Sequence, residues 1–255
     1  MEESRLSIAI ITGASSGLGR EFFLALKNEY EEVWLLARRD ERLKEIAKER
    51  SDVKTRVFKA DLSQECFTKV LEEELVKNGK KVSLLINNAG YGILSDFDKA
   101  ETSSQTGIVR LNDEALVGVT SVVLRHMENG GEIINICSIA SFAPNARMAV
   151  YSASKAFVMS FSRSLREELK KREINVMAVC PGPMRTEFLS CAGIEKGVSK
   201  NFDTLPYCDA KKVAENSLKC SKKKRAVYTP LAFYRFYHFL SRILPTELLI
   251  KLAKT

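Results

Sequence analysis

Along the chain, short and almost wholly apolar runs alternate with longer segments whose apolar residues recur every three or four positions. The short runs are Leu6–Ile11, Glu32–Ala37, Thr55–Lys59, Val82–Ile86, Glu132–Cys137 and Asn175–Cys180, with a briefer one at Ala226–Tyr228. Stretches such as IAII, VWLLA, LLI, IINIC and VMAVC lack the alternation of a half-exposed strand and read as strands buried on both faces. Helices are predicted over Gly17–Tyr30, Asp40–Arg50, Gln64–Asn78, a long stretch of roughly Ser103–Asn129, and Ala149–Lys171. Strands separated by helix-length segments imply parallel βαβ crossovers with both faces of the sheet covered. The expected fold is α/β: a doubly wound parallel sheet of about seven strands with helices on both faces. No repeat or Pro/Gly/Ser-rich linker divides the chain, so residues 1–255 read as one domain.

Composition narrows the partners. With 45% apolar and 28% charged residues the chain has material for a large core. A net charge of +8 favours anions, of which nucleic acid, an anionic membrane and a phosphorylated cofactor are the candidates. The basic residues are dispersed, apart from Lys222, Lys223, Lys224 and Arg225 and the group Lys170, Lys171, Arg172. Clusters this small read as solvated surface, and no nucleic-acid partner is expected. Six scattered cysteines without CxxC spacing, and only two histidines, offer no zinc pattern. Free thiols in a reducing, cytoplasmic compartment are expected. The start MEESRLSIAIITG is acidic with only a short apolar run, which argues against a signal peptide. No stretch of about 18 uncharged apolar residues exists to span a bilayer.

The first turn carries chemistry. Thr12-Gly13-Ala14-Ser15-Ser16-Gly17-Leu18-Gly19 follows the first strand and opens the first helix. Glycines there let the backbone approach a pyrophosphate, and a helix N-terminus offers free N–H groups and partial positive charge. Gly13, Ser15, Ser16, Gly17, Leu18 and Gly19 are the candidates, in a Gly-x-x-x-Gly-x-Gly spacing. At the end of the second strand an acidic residue would suit the ribose of NAD, and arginine the 2′-phosphate of NADP. The chain has Arg38, which a bidentate grip on phosphate would suit, and Arg39, which could share that task or solvate the next helix. NADP(H) is therefore expected over NAD(H). Asp61, followed by Leu62, could accept from an adenine amino group or cap the following helix. Asn87, Asn88, Ala89 and Gly90 end the fourth strand, where a ligand of a parallel sheet should lie.

Tyr151 and Lys155 stand four apart in YSASK, on one face of the predicted helix, with Ser138 upstream at the end of an apolar run. An ammonium beside a phenol favours the phenolate and lowers its pKa from about 10. Together TGASSGLG, ADLS, NNAG, Ser138, YSASK and PGPMRTEF resemble the short-chain dehydrogenase/reductase family in order and spacing, from Ile8 to about Phe188. The resemblance implies a Rossmann-like fold, a nicotinamide cofactor and reversible reduction of a carbonyl to an alcohol. It assigns Tyr151 as general acid or base, and Lys155 to the nicotinamide ribose and, together with the cofactor's positive ring, to lowering the Tyr151 pKa. It assigns Ser138 to the substrate oxygen, and Asn112 to fixing a water that links Lys155 to solvent. Asp113 and Glu114 after Asn112 are an unusually acidic continuation. Pro181, Gly182, Met184 and Thr186 should pass the nicotinamide.

Substrate choice is expected from a lid at about 188–209 and from side chains near 141–148. Phe142, Met148, Met184, Phe188, Leu189 and Phe202 suggest either an apolar pocket for a steroid, acyl or xenobiotic carbonyl or alcohol, or ordinary core. At 231–255 the run LAFYRFYHFLSRILPTELLIKLAKT repeats large apolar residues at helical spacing with basic residues between them. It reads either as a helix packed on its own domain or on a homodimer or homotetramer partner, or as a peripheral membrane contact. A second class of function, an NADP(H)-binding sensor or scaffold without turnover, stays open beside the enzyme.

Overall fold

The computed structural model describes residues 6–252 except 65 and 196. In chain order it contains β1 (Leu6–Thr12), α1 (Gly17–Ala25), β2 (Tyr30–Ala37), α2 (Asp40–Lys48), β3 (Lys54–Lys59), α3 (Phe67–Asn78) and β4 (Val82–Asn87). There follow α4 (Thr102–Val109), α5 (Ala115–His126), β5 (Met127–Ile136), α6 (Ala149–Glu168), β6 (Asn175–Val179), α7 (Glu187–Cys191) and α8 (Lys200–Thr204). The last elements are α9 (Ala210–Lys222), β7 (Val227–Tyr228), α10 (Ala232–Leu240) and α11 (Thr246–Leu252).

The strands form one seven-stranded sheet in the order β3-β2-β1-β4-β5-β6-β7. Every pairing is parallel. Successive strand residues point to opposite faces, so each strand feeds two cores. On one face Ala9, Ile11, Val33 and Leu35 pack with Phe22 and Phe23 of α1, Leu43 of α2 and Val213 of α9. On the other, Ile8, Ile10, Trp34 and Leu36 pack with Leu71 of α3, Val119 of α5 and Leu165 of α6. This double burial is why the strands carry uninterrupted apolar runs. It bears out the doubly wound expectation.

Several expected boundaries move. The first helix stops at Ala25 rather than Tyr30, because Tyr30 pairs with Leu6 in the sheet and is buried. Arg50 donates to the carbonyls of Phe23 and Leu26 (3.0 and 2.6 Å), satisfying groups that further helix would have used. The long stretch expected over Ser103–Asn129 is two helices joined by a wide π-type turn, Arg110–Glu114, and ends at His126. Met127 already belongs to β5, with an irregular register before Glu132. The helix expected to reach Lys171 ends at Glu168, followed by a tight turn at Lys170–Arg172. Arg172 of that basic group is more than solvated surface, since it donates to the carbonyls of Leu124 (3.2 Å) and Met127 (2.6 Å) after α5. The aromatic segment at 231–255 is two helices with Pro245 between them, and residues 253–255 lie outside those described. No helix among the described residues is long and apolar enough to cross a membrane.

Candidate active site

The C-terminal ends of the strands open onto one cavity of about 1120 Å³. It is lined by every candidate cofactor and catalytic residue read from the sequence except Gly19 and Asn112. At one end the glycine turn is pressed against the end of β4. Gly13 adopts φ +65°, and a Cβ there would lie 2.8 Å from the Ala89 Cα. Asn88 Nδ2 donates to the carbonyls of Thr12 and Gly13 (both 3.1 Å), and Thr12 Oγ1 accepts from the N–H groups of Asn88 (3.0 Å) and Ala89 (3.1 Å). Gly19 stands behind this turn, against the Gly13 carbonyl. The Ser16 side chain makes no capping bond to α1, so the first N–H groups of that helix face the cavity end unoccupied by a local side chain.

The two arginines after β2 differ. Arg39 folds over the glycine turn, donating to Ser15 Oγ (3.2 and 3.3 Å) and Ser16 Oγ (2.8 Å), and pairs with Glu187 at 2.8 Å. Arg42 meets the same carboxylate at 3.4 Å. The hydrogen bond from Arg39 holds the Glu187 carboxyl below the ordinary carboxylate range. Arg38 lines the cavity next to Asp61, whose carboxyl is lowered chiefly by its hydrogen bond to Ser63 and also by the Arg38 charge. Asp61 Oδ1 accepts from the Ser63 N–H (3.1 Å) and hydroxyl (2.7 Å), so one oxygen serves the local turn. Glu187 was not singled out in the sequence. Its only signal was its place directly after Thr186, which packs on Gly17.

In the cavity wall stand Ser138, Tyr151 and Lys155. Ser138 follows β5 and accepts from the Ala140 N–H at 3.1 Å, which fixes its hydroxyl oxygen. Lys155 Nζ donates to the Ile136 carbonyl (2.9 Å) and sits 5.7 Å from the centre of the Tyr151 ring. Burial lowers the Lys155 pKa, against the field of Cys137, Asp113 and Cys180. Burial pushes the Tyr151 phenol up to about 12, offset in part by its hydrogen bond with Ser138. Burial is the largest influence on this phenol, ahead of its hydrogen bond with Ser138.

Asn112 occupies the wide turn before α5, and its side chain is fully engaged. Oδ1 accepts from the Tyr91 N–H (3.0 Å), while Nδ2 donates to the Tyr91 carbonyl (3.0 Å) and to Ser154 Oγ (3.1 Å). It thus ties the β4 end to the helix bearing Tyr151 and Lys155. A Cβ on Gly90 would lie 2.9 Å from Asn112 Oδ1 and 3.5 Å from Lys155 Nζ. Next to it, Asp113 has a buried oxygen with no partner, and burial pushes its carboxyl up to about 6. Asn87 donates to Thr120 Oγ1 of α5 and to Asn135 Oδ1 of the neighbouring strand β5 (both 2.9 Å), so its side chain is spent on the packing of the sheet.

The far end of the cavity is apolar. Met148, Met184, Phe188, Leu189 and Phe202 line it as expected, and the Phe188 ring lies 5.7 Å from that of Tyr151. Phe142 does not; it stacks under His238 at 4.1 Å. Sequence reasoning missed the contribution of the C-terminal segment, where Phe233, Tyr234, Tyr237, Leu240 and Leu249 complete the wall. Tyr234 is buried, donates to the Pro206 carbonyl (2.6 Å), and fills the space that a Cβ on Gly182 would need. Pro181 accepts from the Ile139 N–H at 3.1 Å, which holds this strand end beside Ser138.

A family model described as short chain dehydrogenase matches residues 7–195. Sulfoacetaldehyde reductase 2 of Chromohalobacter salexigens is 34% identical over 219 residues, covering 82% of this chain and 85% of that protein. Among solved structures, a short-chain dehydrogenase from Sphingobium yanoikuyae in complex with NADPH is 30% identical with a TM-score of 0.79, covering 93% of this chain and 92% of that one. The bulky-bulky ketone specific alcohol dehydrogenase from Comamonas testosteroni is likewise 30% identical, with a TM-score of 0.76 and the same coverage of 93% and 92%.

Proposed function

The chain belongs to the short-chain dehydrogenase family, and from that premise we propose that it is an NADP(H)-dependent oxidoreductase interconverting a lipophilic ketone or other carbonyl and its secondary alcohol. The observation that carries this reading is the continuity of one cavity. It runs from the glycine turn past Ser138, Tyr151 and Lys155 into an apolar chamber. The relatives act by name on substrates as unlike as sulfoacetaldehyde and bulky ketones, so family membership leaves the substrate to the lining of this chamber. That lining favours a bulky apolar substrate.

The residues present fit a nicotinamide dinucleotide. The backbone cradle at Gly13 and the open N-terminus of α1 suit a pyrophosphate. Arg38 and Arg39, with Ser15 and Ser16, would hold a 2′-phosphate, and Asp61 and Leu62 would border the adenine. Asn88, Ala89, Gly90 and Lys155 would take the ribose near the nicotinamide, and Pro181, Gly182, Met184 and Thr186 the ring itself. When bound, the cofactor supplies the hydride.

The chain's own contribution is to the oxygen. As a carbonyl is reduced, negative charge grows on its oxygen, and the hydroxyls of Ser138 and Tyr151 are placed to stabilise it. A phenol whose pKa stands near 12 keeps its proton at neutral pH, so Tyr151 is poised as the acid of the reducing direction. The buried Lys155 ammonium offsets the charge that the donated proton leaves on Tyr151. Asn112 positions this helix through Ser154. The reading includes a reducing, cytoplasmic setting, in keeping with six free cysteines. It also includes a homodimer or homotetramer, for which the exposed Val109, Val117 and Phe157 provide apolar surface.

A panel of ketones and alcohols, with steroids and acyl derivatives included, followed by nicotinamide absorbance with each cofactor, tests the proposal. Tyr151→Phe is expected to lower kcat by about 10³-fold while NADPH binding is retained. Undiminished turnover in that variant overturns the enzyme reading. Tight NADPH binding with no turnover across the panel favours the sensor or scaffold instead.

A further inference from the structure

Helix α10 is held on one side and bare on the other. Its inner side is anchored by Tyr234, which is buried beneath Gly182 and bonded to Pro206, and by His238, stacked on Phe142. These contacts set the rotation of the helix, so its outward face is not a frayed piece of core. That face carries Phe233, Phe236 and Phe239, which are 54%, 60% and 58% exposed. Ile243, 61% exposed, continues the patch just past the helix end. Residues three and four apart share a helix face, so these side chains form one stripe. Leu231 at one end and Leu248 of α11 at the other are also exposed. A contiguous large apolar patch of this kind marks a contact surface.

We propose that this face of α10 docks the protein on an anionic lipid bilayer, with the mouth of the apolar chamber turned toward the lipid. The charge around the stripe selects the occupant. Arg235 and Arg242 are exposed within it, Arg163 of α6 lies near His238, and the run from Leu231 to Pro245 contains no acidic residue. In a two-fold contact the same patch faces itself, which would bring these guanidinium groups together with no carboxylate from that run to pair them. Anionic headgroups supply the missing partner, while phenylalanines enter the boundary of the acyl chains. Such a helix lies in the plane of the interface, in keeping with the lack of any described helix able to span it.

The patch also leads inward. Phe233 belongs both to the exposed stripe and to the cavity wall, which continues through Tyr237, Leu240 and Leu249. A lipophilic carbonyl dissolved in the bilayer would then reach Tyr151 without crossing bulk water. This route rests on the reading of the cavity as a site for lipophilic carbonyls; the docking itself does not.

Co-sedimentation of the full chain with vesicles of phosphatidylcholine, with and without phosphatidylglycerol, tests the proposal. Binding is expected to the anionic vesicles and to weaken as salt is raised. Phe236→Ser/Phe239→Ser, at positions outside the cavity wall, is expected to weaken binding by roughly a hundred-fold, at unchanged circular dichroism. Arg235→Gln and Arg242→Gln are each expected to cost about five-fold. Failure of the wild-type chain to sediment with anionic vesicles overturns the docking, as does equal binding by the phenylalanine double variant. Light scattering that shows an oligomer falling to a monomer in that variant also overturns it, in favour of a second copy on this face. Turnover of a water-soluble ketone is measured in parallel. Its absence in the wild type counts against the oxidoreductase reading alone, and its presence without vesicle binding counts against the docking alone.

Discussion

At the glycine end of the cavity the main chain itself comes close. A Cβ on Gly13 would lie 2.8 Å from the Ala89 Cα and 2.9 Å from Asn88 Nδ2, so the turn leaves no room for a side chain on Gly13. At the other end the wall is side chains, brought together from α6, α7, α8, α10 and α11. Under the proposed function the contrast follows from what each end would recognise. A pyrophosphate is met by N–H groups and a helix end that every sequence possesses, provided glycines let the backbone come near. An apolar substrate is met by shape, and shape is set by whichever side chains the fold collects. The first end therefore admits few sequences and the second admits many, which is how one fold serves dissimilar substrates.

The widest separation between the two ends is expected from a pair of substitutions. Gly13→Ala places a Cβ 2.8 Å from the Ala89 Cα on a backbone at φ +65°. NADPH affinity should fall by about 100-fold or more, since neither strain nor backbone contact can relax. Leu240→Ala, at the far wall, should instead leave NADPH affinity unchanged and alter KM for the bulkiest ketones by roughly ten-fold. Fluorescence titration of NADPH beside steady-state kinetics reads both, and a fall in cofactor affinity in the leucine variant would break the contrast.

A sharper test lies where the ends meet. Glu187 opens α7, at the apolar end, yet it pairs with Arg39, which folds over the glycine turn. If Arg39 grips a 2′-phosphate, Arg39→Ala should weaken NADPH binding about ten-fold and leave NADH binding as it was. Glu187→Gln removes a carboxylate that competes for the same guanidinium. NADPH should then bind about two-fold more tightly, the modest size expected of an exposed pair. Equal affinity for the two cofactors in the wild type would remove the basis of both expectations.

The smallest effect concerns Asp113, behind the catalytic wall. Burial holds its folded pKa at about 6, above the ordinary carboxylate value of 3.8. The folded state thus binds more protons than the unfolded state between those values, and stability should fall as pH rises through them. Above pH 6 the loss is complete. Asp113→Asn should therefore raise stability at pH 7.5 by about 1 kcal/mol, a figure discounted for partial exposure, and change it little at pH 4. Denaturant titrations at the two pH values measure the difference, and a variant destabilised at pH 7.5 would show that the charged carboxylate has an uncounted partner.

Much of this molecule was legible before its coordinates. The strands announced themselves because burial on both faces demands unbroken apolar runs. The glycine turn and the YSASK helix were equally plain, since each is a local pattern. The errors arose where a distant residue intervenes. Arg50 caps a helix some two dozen residues earlier and ends it before Tyr30. Asn112 is bonded to the backbone of Tyr91, and the helix widens into a π-type turn around it. Phe142 left the expected pocket because His238, nearly a hundred residues away, offers it a stacking partner.

What the sequence determined by itself was the order of elements, the parallel sheet, the cofactor turn and the membership of a family that places serine, tyrosine and lysine together. These depend on periodicity and short spacing, which are properties of the chain as written. Only the tertiary structure decided that Arg39 rather than Arg38 covers the glycine turn, that Glu187 joins α7 to it, and that Tyr234 under Gly182 brings the last helices into the cavity wall. It likewise decided that Tyr151 has its pKa raised by burial. Such outcomes depend on which side chains meet across the fold and how much water they exclude. Neither quantity is a function of spacing along the chain.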